Sequence, residues 1–404
     1  MAWESDSSPR VDGTVSRLDG SVMARIIVGS YMVRYPLGGM MSWVLQYLVG
    51  FQRLGHDVYF VEKSGYANAC YNPVSNVMSD DPAYGTAVVN ALLARFDLQQ
   101  RWCFVDEKQQ YHGLSRIQVA EVFRSSDLFL DMGTHGAWLD EAATAKLRVL
   151  ADGEPGFTQM KLENRLARGE SLPEYDLYYT AGANVGTRES TSPTAGKNWR
   201  RLPHPVVTEM FSYRPPPRDS AFTTVMNWQS HQPIEFRGQR YGQKDVEFAK
   251  FLELPRSTMA PLEVAVSGKN VPAELLREFG WRVRDAHAVT LSFDTFRDYI
   301  VESQGEFGVC KNVFVATNSG WFSDRSAAYL ASGRPVVLQD TGFSSHLPCG
   351  CGLFAVRSVE EAAAALEDIR TDYARHVETA REIACEYLDA RKVLGDFLNE
   401  LGIA

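Results

Sequence analysis

The stretch Thr317-Asn-Ser-Gly-Trp-Phe-Ser-Asp-Arg-Ser-Ala-Ala-Tyr-Leu-Ala-Ser-Gly-Arg-Pro-Val-Val337 is the most informative part of this sequence. It reads as a polar loop after a strand, a helix that begins near Ser323, a stop at Gly333 and a second strand. A helix start presents unpaired backbone N–H groups and the positive end of the helix dipole, which together stabilise a phosphate. The stretch therefore predicts an anion-binding site.

The side chains at the start of this helix support that prediction. Ser323 and Asp324 favour the N-cap position, where Asp324 either contacts a ligand or only caps the helix. Arg325 follows in the first turn, where a cation opposes the dipole. A ligand anion explains Arg325, and a side chain in solvent is the alternative. The residues that we assign to the site are Ser319, Gly320, Ser323, Asp324, Arg325 and Ser326.

On both sides of this stretch, short apolar runs alternate with segments of helical periodicity. Met41, Val44 and Leu48 recur at the spacing of a helix, which we place at 40–54. Strands are predicted at 25–30, 57–62, 102–105, 127–131, 147–151 and 176–180, then at 222–228, 262–266, 281–283, 308–310, 313–316 and 335–338. This alternation predicts an α/β chain whose parallel sheets have helices on both faces.

The length of 404 residues suits two such domains. Residues 1–22 are polar, and we predict that they form a disordered extension. Residues 183–219 are rich in Thr, Ser, Arg and Pro, which indicates a crossing between domains. We predict a first domain at 23–200, a linker at 201–219, a second domain at 220–385 and a C-terminal helix at 386–404 that crosses back to the first domain.

The order of these features resembles the GT-B glycosyltransferases of families 1 and 4. In their donor-binding segment a polar loop and a helix precede A-x-G-x-P-V-V, which matches residues 331–337. The sequence LGHDV at 54–58 leads into the second strand, as it does in that family. An actinobacterial-looking group has the same SGWFS(D/E)RSAAYLASGRPVV stretch. Many family members place a glutamate in or before this helix, where the present chain has Asp324.

The resemblance implies two Rossmann-like parallel-sheet domains that face a cleft. It implies hexosyl transfer from a nucleotide-diphosphate sugar on the second domain to an acceptor on the first. The nucleotide sugar is then a substrate, and neither a cofactor nor a metal ion is required. In this family the loop that contains Gly38 and Gly39 borders the acceptor and the departing phosphate. The sequence does not distinguish between a small molecule, a lipid and a glycan as the acceptor.

Two further places in the second half suit a donor. Ser267-Gly268-Lys269 directly follows a predicted strand, where glycine permits close backbone approach and lysine neutralises a pyrophosphate. A surface turn is the alternative there. Glu306 and Lys311 flank another apolar run, and Lys311 either reaches a phosphate or forms an exposed salt bridge.

Candidates for acceptor activation lie in the first half. His135 follows a predicted strand in a glycine-flanked loop, and it is our first choice for the group that accepts a proton from the acceptor. Asp152 and Glu154 follow the next strand and either bind acceptor hydroxyls or act as the base. Their spacing is similar to a metal-binding DxD motif. The rest of the chain does not support the fold to which that motif belongs, so we predict no metal site.

Composition argues against several classes of protein. The net charge is −9, whereas bulk binding to nucleic acid or to an anionic membrane requires a positive field. The most apolar helical stretch is too short for a transmembrane segment, and the polar start does not have the pattern of a secretory signal. Cysteine is sparse, with one close pair at Cys349 and Cys351. We expect a cytoplasmic protein, and its oligomeric state stays open.

Three alternatives remain at this point. A nucleotide-sugar epimerase would use the same fold for a different reaction. An NAD-dependent oxidoreductase would use the first domain, with the dinucleotide near Gly38 and Gly39 and its ribose on Glu62. A binding protein without catalysis would hold the nucleotide sugar but never transfer the sugar.

Overall fold

The computed structural model describes residues 23–230 and 232–403. Within them the chain forms two large, mainly parallel sheets with flanking helices, so the predicted α/β fold with two Rossmann-like domains is confirmed. The disordered extension predicted at 1–22 lies outside the described residues. Across the described ranges, no helix is long and apolar enough to cross a bilayer.

The strands of the first half alternate with helices as the apolar runs predict. These strands are β1 (Arg25–Gly29), β2 (Asp57–Lys63), β3 (Cys70–Asn72), β4 (Val77–Ser79), β5 (Trp102–Val105), β6 (Tyr111–Gly113), β7 (Leu128–Asp131), β8 (Arg148–Asp152), β9 (Leu177–Thr180) and β10 (Trp199–Arg201). The first sheet has the order β10-β9-β8-β7-β1-β2-β5-β6, and β6 is antiparallel to β5. Strands β3 and β4 form a separate antiparallel hairpin.

The helices of the first half connect these strands. They are α1 (Gly38–Arg53), α2 (Ala83–Ala94), α3 (Arg116–Arg124), α4 (Leu139–Ala142) and α5 (Phe157–Ala167). The helix predicted at 40–54 is confirmed as α1, although it begins earlier, at Gly38. Met41, Val44 and Leu48 are buried, and so are most residues of α1, because helices at 293–302 and 390–401 cover α1 as well as the first sheet does.

The second half repeats the alternation. Its strands are β11 (Phe222–Asn227), β12 (Ile234–Phe236), β13 (Gln239–Tyr241), β14 (Leu262–Ser267), β15 (Arg282–Asp285), β16 (Gly305–Gly308), β17 (Val336–Gln339) and β18 (Leu353–Val356). The second sheet has the order β15-β14-β11-β16-β17-β18, with every pair parallel. Strands β12 and β13 form a hairpin that reaches α5 of the first half, where Asn164 donates a hydrogen bond to the Glu235 carbonyl.

The helices of the second half include one that the sequence misassigned. They are α6 (Lys244–Phe248), α7 (Ala273–Glu278), α8 (Ala286–Thr290), α9 (Phe293–Glu302), α10 (Asn312–Ala316), α11 (Asp324–Ala331), α12 (Val359–Thr371), α13 (Tyr373–Ile383) and α14 (Ala390–Leu401). The strand predicted at 313–316 is wrong, because these residues form α10. A short apolar run cannot be distinguished from a buried helical turn by periodicity alone.

Helix α14 packs against first-half residues. Its Leu394 meets Gly50 of α1, and the ring of Phe397 lies 5.0 Å from that of Tyr179 and 6.4 Å from that of Phe51. Helix α14, which follows the second sheet in the sequence, therefore packs on the first half and ties the two halves together.

The carboxyl ends of the two sheets face each other across a cleft that backbone hydrogen bonds close at one side. The loop after β9 donates from Asn184 N to the Ser319 carbonyl at 3.0 Å and from Thr191 N to the Thr317 carbonyl at 3.1 Å. A side chain on Gly320, whose φ is +74°, would overlap Asn184, so glycine is required at this contact. This junction fixes the separation of the two sheets.

A second contact between the halves lies at the start of α1. A Cβ atom on Gly38 would overlap the Ser292 carbonyl and the Phe296 side chain at the start of α9, whereas a Cβ on Gly39 would come no closer than 3.7 Å to Phe296. Gly38 is buried. Gly38 thus permits close helix packing, whereas the packing does not require Gly39. A role of this loop beside the acceptor and the phosphate stays a prediction.

This packing leads to a stability prediction. Gly38→Ala should lower the free energy of unfolding by about 1–3 kcal/mol, the usual cost of overpacking, even though alanine favours helices. Gly39→Ala is the matched control and should be neutral or slightly stabilising. Urea denaturation followed by circular dichroism measures both. Equal stability of the two variants would contradict the close approach of α1 to α9.

Candidate functional site

The start of α11 has backbone N–H groups without hydrogen-bond partners in the part of the chain that the structure describes. The N–H groups of Asp324, Arg325 and Ser326 lie in the first turn, where no intrahelical acceptor exists. Ser323 occupies the N-cap position, as predicted, but its side chain does not cap the helix. The helix thus keeps its amides and its positive dipole end available for an anion.

A lysine that sequence reasoning missed lies beside this helix start. Lys244 opens α6, is nearly fully buried and forms no hydrogen bond or ion pair with any residue that the structure describes. Burial lowers the pKa of its amine to about 7, and the neighbouring Arg325 and Lys311 charges also lower it. A cation at a helix start opposes the dipole, so the signal that drew attention to Arg325 applies equally to Lys244.

The sequence suggested that Arg325 either contacts a ligand anion or points into solvent, but in the structure it pairs with a buried carboxylate. Its Nε donates to Glu306 Oε1 at 2.7 Å and its Nη1 donates to the Val225 carbonyl at 2.9 Å. Glu306 is fully buried. The pair explains a cation at the helix start without a ligand, so the expectation that Arg325 needs a ligand anion is corrected. Its charge is balanced within the protein.

Several polar atoms around this pair nevertheless have no partner. Buried polar groups in folded proteins are almost always hydrogen-bonded, so a cluster of exceptions indicates a missing ligand or water. Among the described residues, the buried atoms without a partner at the pair and in the first turn of α11 are Ser326 Oγ, Arg325 Nη2 and Glu306 Oε2, and those in the loop before the helix are Ser319 Oγ and Trp321 Nε1. Donors predominate in this set, which suits an anionic ligand.

Ser319 and Gly320 lie in the junction between the halves. Their carbonyls accept from Asn184 N and Ala183 N. Both residues are buried, so the backbone that we predicted to face a donor instead joins the two domains. The Ser319 hydroxyl is buried in this junction and has no partner among the described residues.

A salt bridge spans the cleft between two predicted site residues. Lys311 Nζ lies 2.5 Å from both carboxylate oxygens of Glu154. Glu154 follows β8 of the first sheet and Lys311 follows β16 of the second, so the bridge joins the edges of both sheets. The lysine is largely buried and the glutamate is partly exposed. Lys311 therefore forms a salt bridge, as in the alternative considered for it, although its side chain is largely buried and not exposed. Its contact with a phosphate stays a prediction.

The turn after β14 is the most open of the predicted donor positions. Gly268 and Lys269 are exposed, Ser267 is partly exposed, and Gly268 has a φ of +102°. Lys269 forms no ion pair within the described ranges. A Cβ on Gly268 would overlap the Asn227 side chain, which places this turn beside the end of β11. The turn and the start of α11 thus lie on the same edge of the second sheet.

Asp152 is an anchor for its own loop. Its carboxylate accepts from Glu154 N at 2.8 Å, from Gln159 Nε2 at 2.9 Å and from Thr180 Oγ1 at 2.9 Å. Burial raises its pKa, which these hydrogen bonds oppose. With both oxygens engaged, Asp152 positions Glu154 and is not placed to contact an acceptor, which corrects its predicted catalytic role.

His135 is presented to the cleft by a tightly held loop. Asp131, at the end of β7, accepts hydrogen bonds from the N–H groups of Gly133, Thr134 and Gly136 at 2.7–3.0 Å, and from Tyr175 OH at 2.7 Å. This loop holds His135 at a φ of +53°, a strained conformation for a residue with a side chain.

The imidazole of His135 is exposed within the cleft and forms no hydrogen bond with the described part of the chain. Desolvation by the cleft walls lowers its pKa, an effect that Asp131 opposes. A neutral, unpartnered imidazole at neutral pH is able to accept a proton.

Glu62 does not have the free carboxylate that a dinucleotide site requires. It is fully buried, and it accepts from Met32 N at 2.8 Å, Val33 N at 2.7 Å and Arg34 N at 3.0 Å. Arg34 Nε also lies 3.0 Å from it. Glu62 therefore orders the loop after β1, and it is not placed to hold a ribose.

His204 is a second residue that sequence reasoning missed. It is buried between Trp43 and the Gly153 backbone, and its Nδ1 has no partner among the described residues. Burial lowers its pKa, and the charges of Asp324 and Asp152 oppose this shift. The only sequence signal is its place in Pro203-His-Pro205, which reads as linker. In the described ranges, no three His, Cys, Asp or Glu side chains are grouped to hold a metal ion.

Comparison with known proteins identifies the fold. No protein family defined by sequence matches the chain. No curated protein matches it either. Among solved structures, an alpha-glucosyltransferase in complex with UDP and a 13-mer DNA containing an HMU base has a TM-score of 0.59 at 10% identity, covering 94% of this chain and 99% of that chain.

Two further solved structures have the same architecture. HepE from Anabaena in complex with UDP-glucose has a TM-score of 0.55 at 11% identity, covering 94% of this chain and 100% of that chain. Sucrose-phosphate synthase from Thermosynechococcus elongatus has a TM-score of 0.51 at 12% identity, covering 93% of this chain and 98% of that chain. At these identities the similarity establishes the fold: the chain has the GT-B architecture.

The Asp131 network leads to a prediction about the His135 loop. Asp131→Asn replaces one acceptor oxygen with an NH₂ group that faces N–H donors, so it should cost about 1–3 kcal/mol of stability. The loop should also lose its fixed conformation, which limited proteolysis detects. Asp140→Asn, at an exposed site nearby, is the control. A variant as stable and as resistant as the wild type would contradict the anchoring role.

Proposed function

We propose that this GT-B protein is a glycosyltransferase that moves a hexosyl group from a nucleotide-diphosphate sugar to an acceptor hydroxyl. The observation that carries the proposal is the buried set of unpartnered donors at the start of α11, with the unpaired Lys244 beside it. Similar structures contain UDP or UDP-glucose, which supports a uridine nucleotide as the donor.

The diphosphate is the part of the donor that this site suits best. It would accept from the amides of α11, from Ser326 Oγ and from Arg325 Nη2, while Lys244 supplies a positive charge that no carboxylate has neutralised. When the bond between the sugar C1 atom and the phosphate oxygen breaks, negative charge develops on that oxygen. Fixed donors in a buried site stabilise such charge strongly.

The salt bridge between Glu154 and Lys311 would allow Lys311 to exchange the Glu154 carboxylate for a donor phosphate. A diphosphate is a stronger acceptor for a lysine than one partly exposed carboxylate. Donor binding would draw Lys311 toward the phosphate and release Glu154 toward the acceptor. The bridge would thus keep Lys311 ordered in the cleft before the donor arrives.

The acceptor side of the reaction would lie over the His135 loop. The acceptor oxygen forms a bond to the sugar C1 atom and loses its proton, which passes to the His135 imidazole or to the departing diphosphate. His135 is open to the cleft and has no partner within the described ranges that competes for that proton.

The remaining partners follow from charge and chemistry. We propose a small-molecule, lipid or glycan acceptor, because a net charge of −9 opposes binding to nucleic acid, although three similar structures of an alpha-glucosyltransferase contain DNA. All the cysteines are free, which supports a cytoplasmic location with reduced thiols. The nucleotide sugar would be a substrate, and no separate cofactor is proposed.

Lys244 provides a direct test of the donor site. Lys244→Met should weaken UDP-glucose binding roughly 10- to 100-fold, the usual loss for one charge-assisted contact. Because the amine has a pKa of about 7, wild-type protein at pH 8 should take up most of one proton on binding. Calorimetry in buffers of different ionisation enthalpy measures this uptake.

The exposed Lys392→Met variant is the control and should bind like the wild type. Arg325→Ala is a poor test, because it leaves the Glu306 carboxylate buried without a partner and destabilises the protein. Donor affinity that is unchanged in Lys244→Met would remove the lysine from the site. Epimer formation without transfer would favour the epimerase, and binding without turnover would favour a binding protein.

His135→Ala tests the acceptor side. The rate of transfer should fall roughly 10²-fold or more while UDP-glucose affinity stays the same. In the wild type, kcat/KM should fall as the pH drops through the lowered pKa of His135, since only the neutral ring accepts a proton. The variant should lose that acidic limb. An equal loss of transfer and donor binding would argue against a role in proton transfer.

A further inference from the structure

A series of tyrosine rings leads away from the His135 loop along the first domain. Tyr31 contacts the loop, because a Cβ on Gly133 would lie 2.8 Å from its ring. The ring of Tyr35 follows at 6.2 Å from Tyr31, and that of Tyr71 follows at 6.5 Å from Tyr35. Tyr66 joins beside them, with its hydroxyl 3.3 Å from that of Tyr35. We call these four residues the tyrosine track.

The tyrosine track ends on a hairpin whose tip is apolar and exposed. Tyr71 belongs to β3, and its N–H donates to the Arg34 carbonyl at 2.8 Å, which fixes the hairpin to the loop after β1. Beyond it, Val74 is 74% exposed, Val77 50% and Met78 39%. We call these three residues the apolar tip; they lie in the turn and the second strand of the hairpin, where Met78 is opposite Tyr71 and where solvent-facing residues are normally polar.

The track is close to neutral in charge. Arg34 lies over the Tyr31 and Tyr66 rings at 5.3 and 5.9 Å, but its charge is balanced by the buried carboxylate of Glu62. Burial raises the pKa of Tyr31 and of Tyr35 to about 12, so both phenols stay neutral at physiological pH. Among the described residues, the titratable groups that face Tyr71 from the second half are His287, whose ring lies 6.4 Å away, and Asp285. A charged acceptor would therefore find no unbalanced lysine or arginine along the track.

The surroundings of the apolar tip disfavour an anionic membrane. Residues 64–94 contain no lysine, arginine or histidine, and Asp80 and Asp81 follow the hairpin directly. Anionic lipid surfaces attract basic segments and repel acidic ones. An apolar surface with acidic neighbours instead suits the apolar portion of an uncharged molecule.

We propose, on the basis of the transferase function above, that the acceptor is an uncharged amphiphile. Its hydroxyl-bearing end lies at His135, its body lies along the tyrosine track, and its apolar end covers the tip at Val74, Val77 and Met78. The aromatic faces bury apolar surface and the phenol groups pair with polar groups of the body. A purely polar glycan would use the rings but would leave the tip without a function.

The amphiphile proposal is tested by measuring the affinity of n-alkyl β-D-glucosides, from methyl to octyl, in the presence of UDP. Each glucoside is used below its micelle concentration. Affinity should rise with chain length by up to about fourfold per buried methylene, and at least tenfold from butyl to octyl. Cello-oligosaccharides of similar length should show no such rise. A flat alkyl series, or a rise only with the oligosaccharides, would overturn the proposal.

Variants of the apolar tip locate the effect. The combined Val74→Ser, Val77→Ser and Met78→Ser variant should lose most of the gain from butyl to octyl and bind the methyl glucoside as the wild type does. Ile117→Ser, on α3 at 80% exposure, is the matched control and should keep the full gain. A tip variant that keeps the gain, or wild-type protein that binds phosphatidylglycerol vesicles, would contradict an uncharged amphiphile at this surface.

Donor binding separates this proposal from the function on which it rests. UDP-glucose affinity, and its dependence on Lys244, is measured in the same tip variant. Normal donor binding with a flat alkyl series rejects the amphiphile and leaves the transferase. A chain-length effect with no UDP-glucose binding rejects the transferase.

Discussion

Backbone N–H groups at a helix start have no acceptor within the helix, and at α11 no side chain supplies one. Other polar groups that the structure describes in this part of the second domain also lack partners. The buried hydroxyls of Ser319 and Ser326 also lack partners within the described ranges, and Lys244 has no counterion there. Leaving so many polar groups unpaired is costly, and an anion that binds to them recovers that cost. Under the proposed function, the free energy of this site would fall when a diphosphate binds to it.

The two sheets contribute differently to the cleft. The second sheet supplies cationic and amide groups around α11, with one charge pair, Arg325 and Glu306, balanced inside. The first sheet supplies loops that carboxylates hold in place, since Glu62, Asp131 and Asp152 each accept several backbone or side-chain donors. Under the proposed function, the second sheet would bind the anionic donor, and the first sheet would hold His135 and the tyrosine track in fixed positions. This division fits the transfer of a group from a charged donor to a neutral acceptor.

Local sequence patterns predicted the features that depend on residues close together in the chain. The buried strands, helix α1 and the start of α11 follow from apolar periodicity and from helix-terminus residues, and the order of motifs identified the architecture. Sequence could not predict which distant residues meet. The contact of Ser319 with Asn184, the pairing of Lys311 with Glu154 and the packing of Gly38 against Ser292 all join positions more than a hundred residues apart. Lys244 carried a usable signal, because it is a cation at a helix start, as Arg325 is.

Hydrogen exchange of α11 tests the central claim most directly. In the free protein, the amides of Asp324, Arg325 and Ser326 should exchange fast for buried groups, since they have no acceptors. Saturating UDP-glucose should slow their exchange at least about tenfold, as expected when hydrogen bonds form and opening requires their loss, while α3 stays unchanged. Protection that appears only elsewhere, or amides that already exchange slowly without ligand, would contradict a diphosphate site at this helix start.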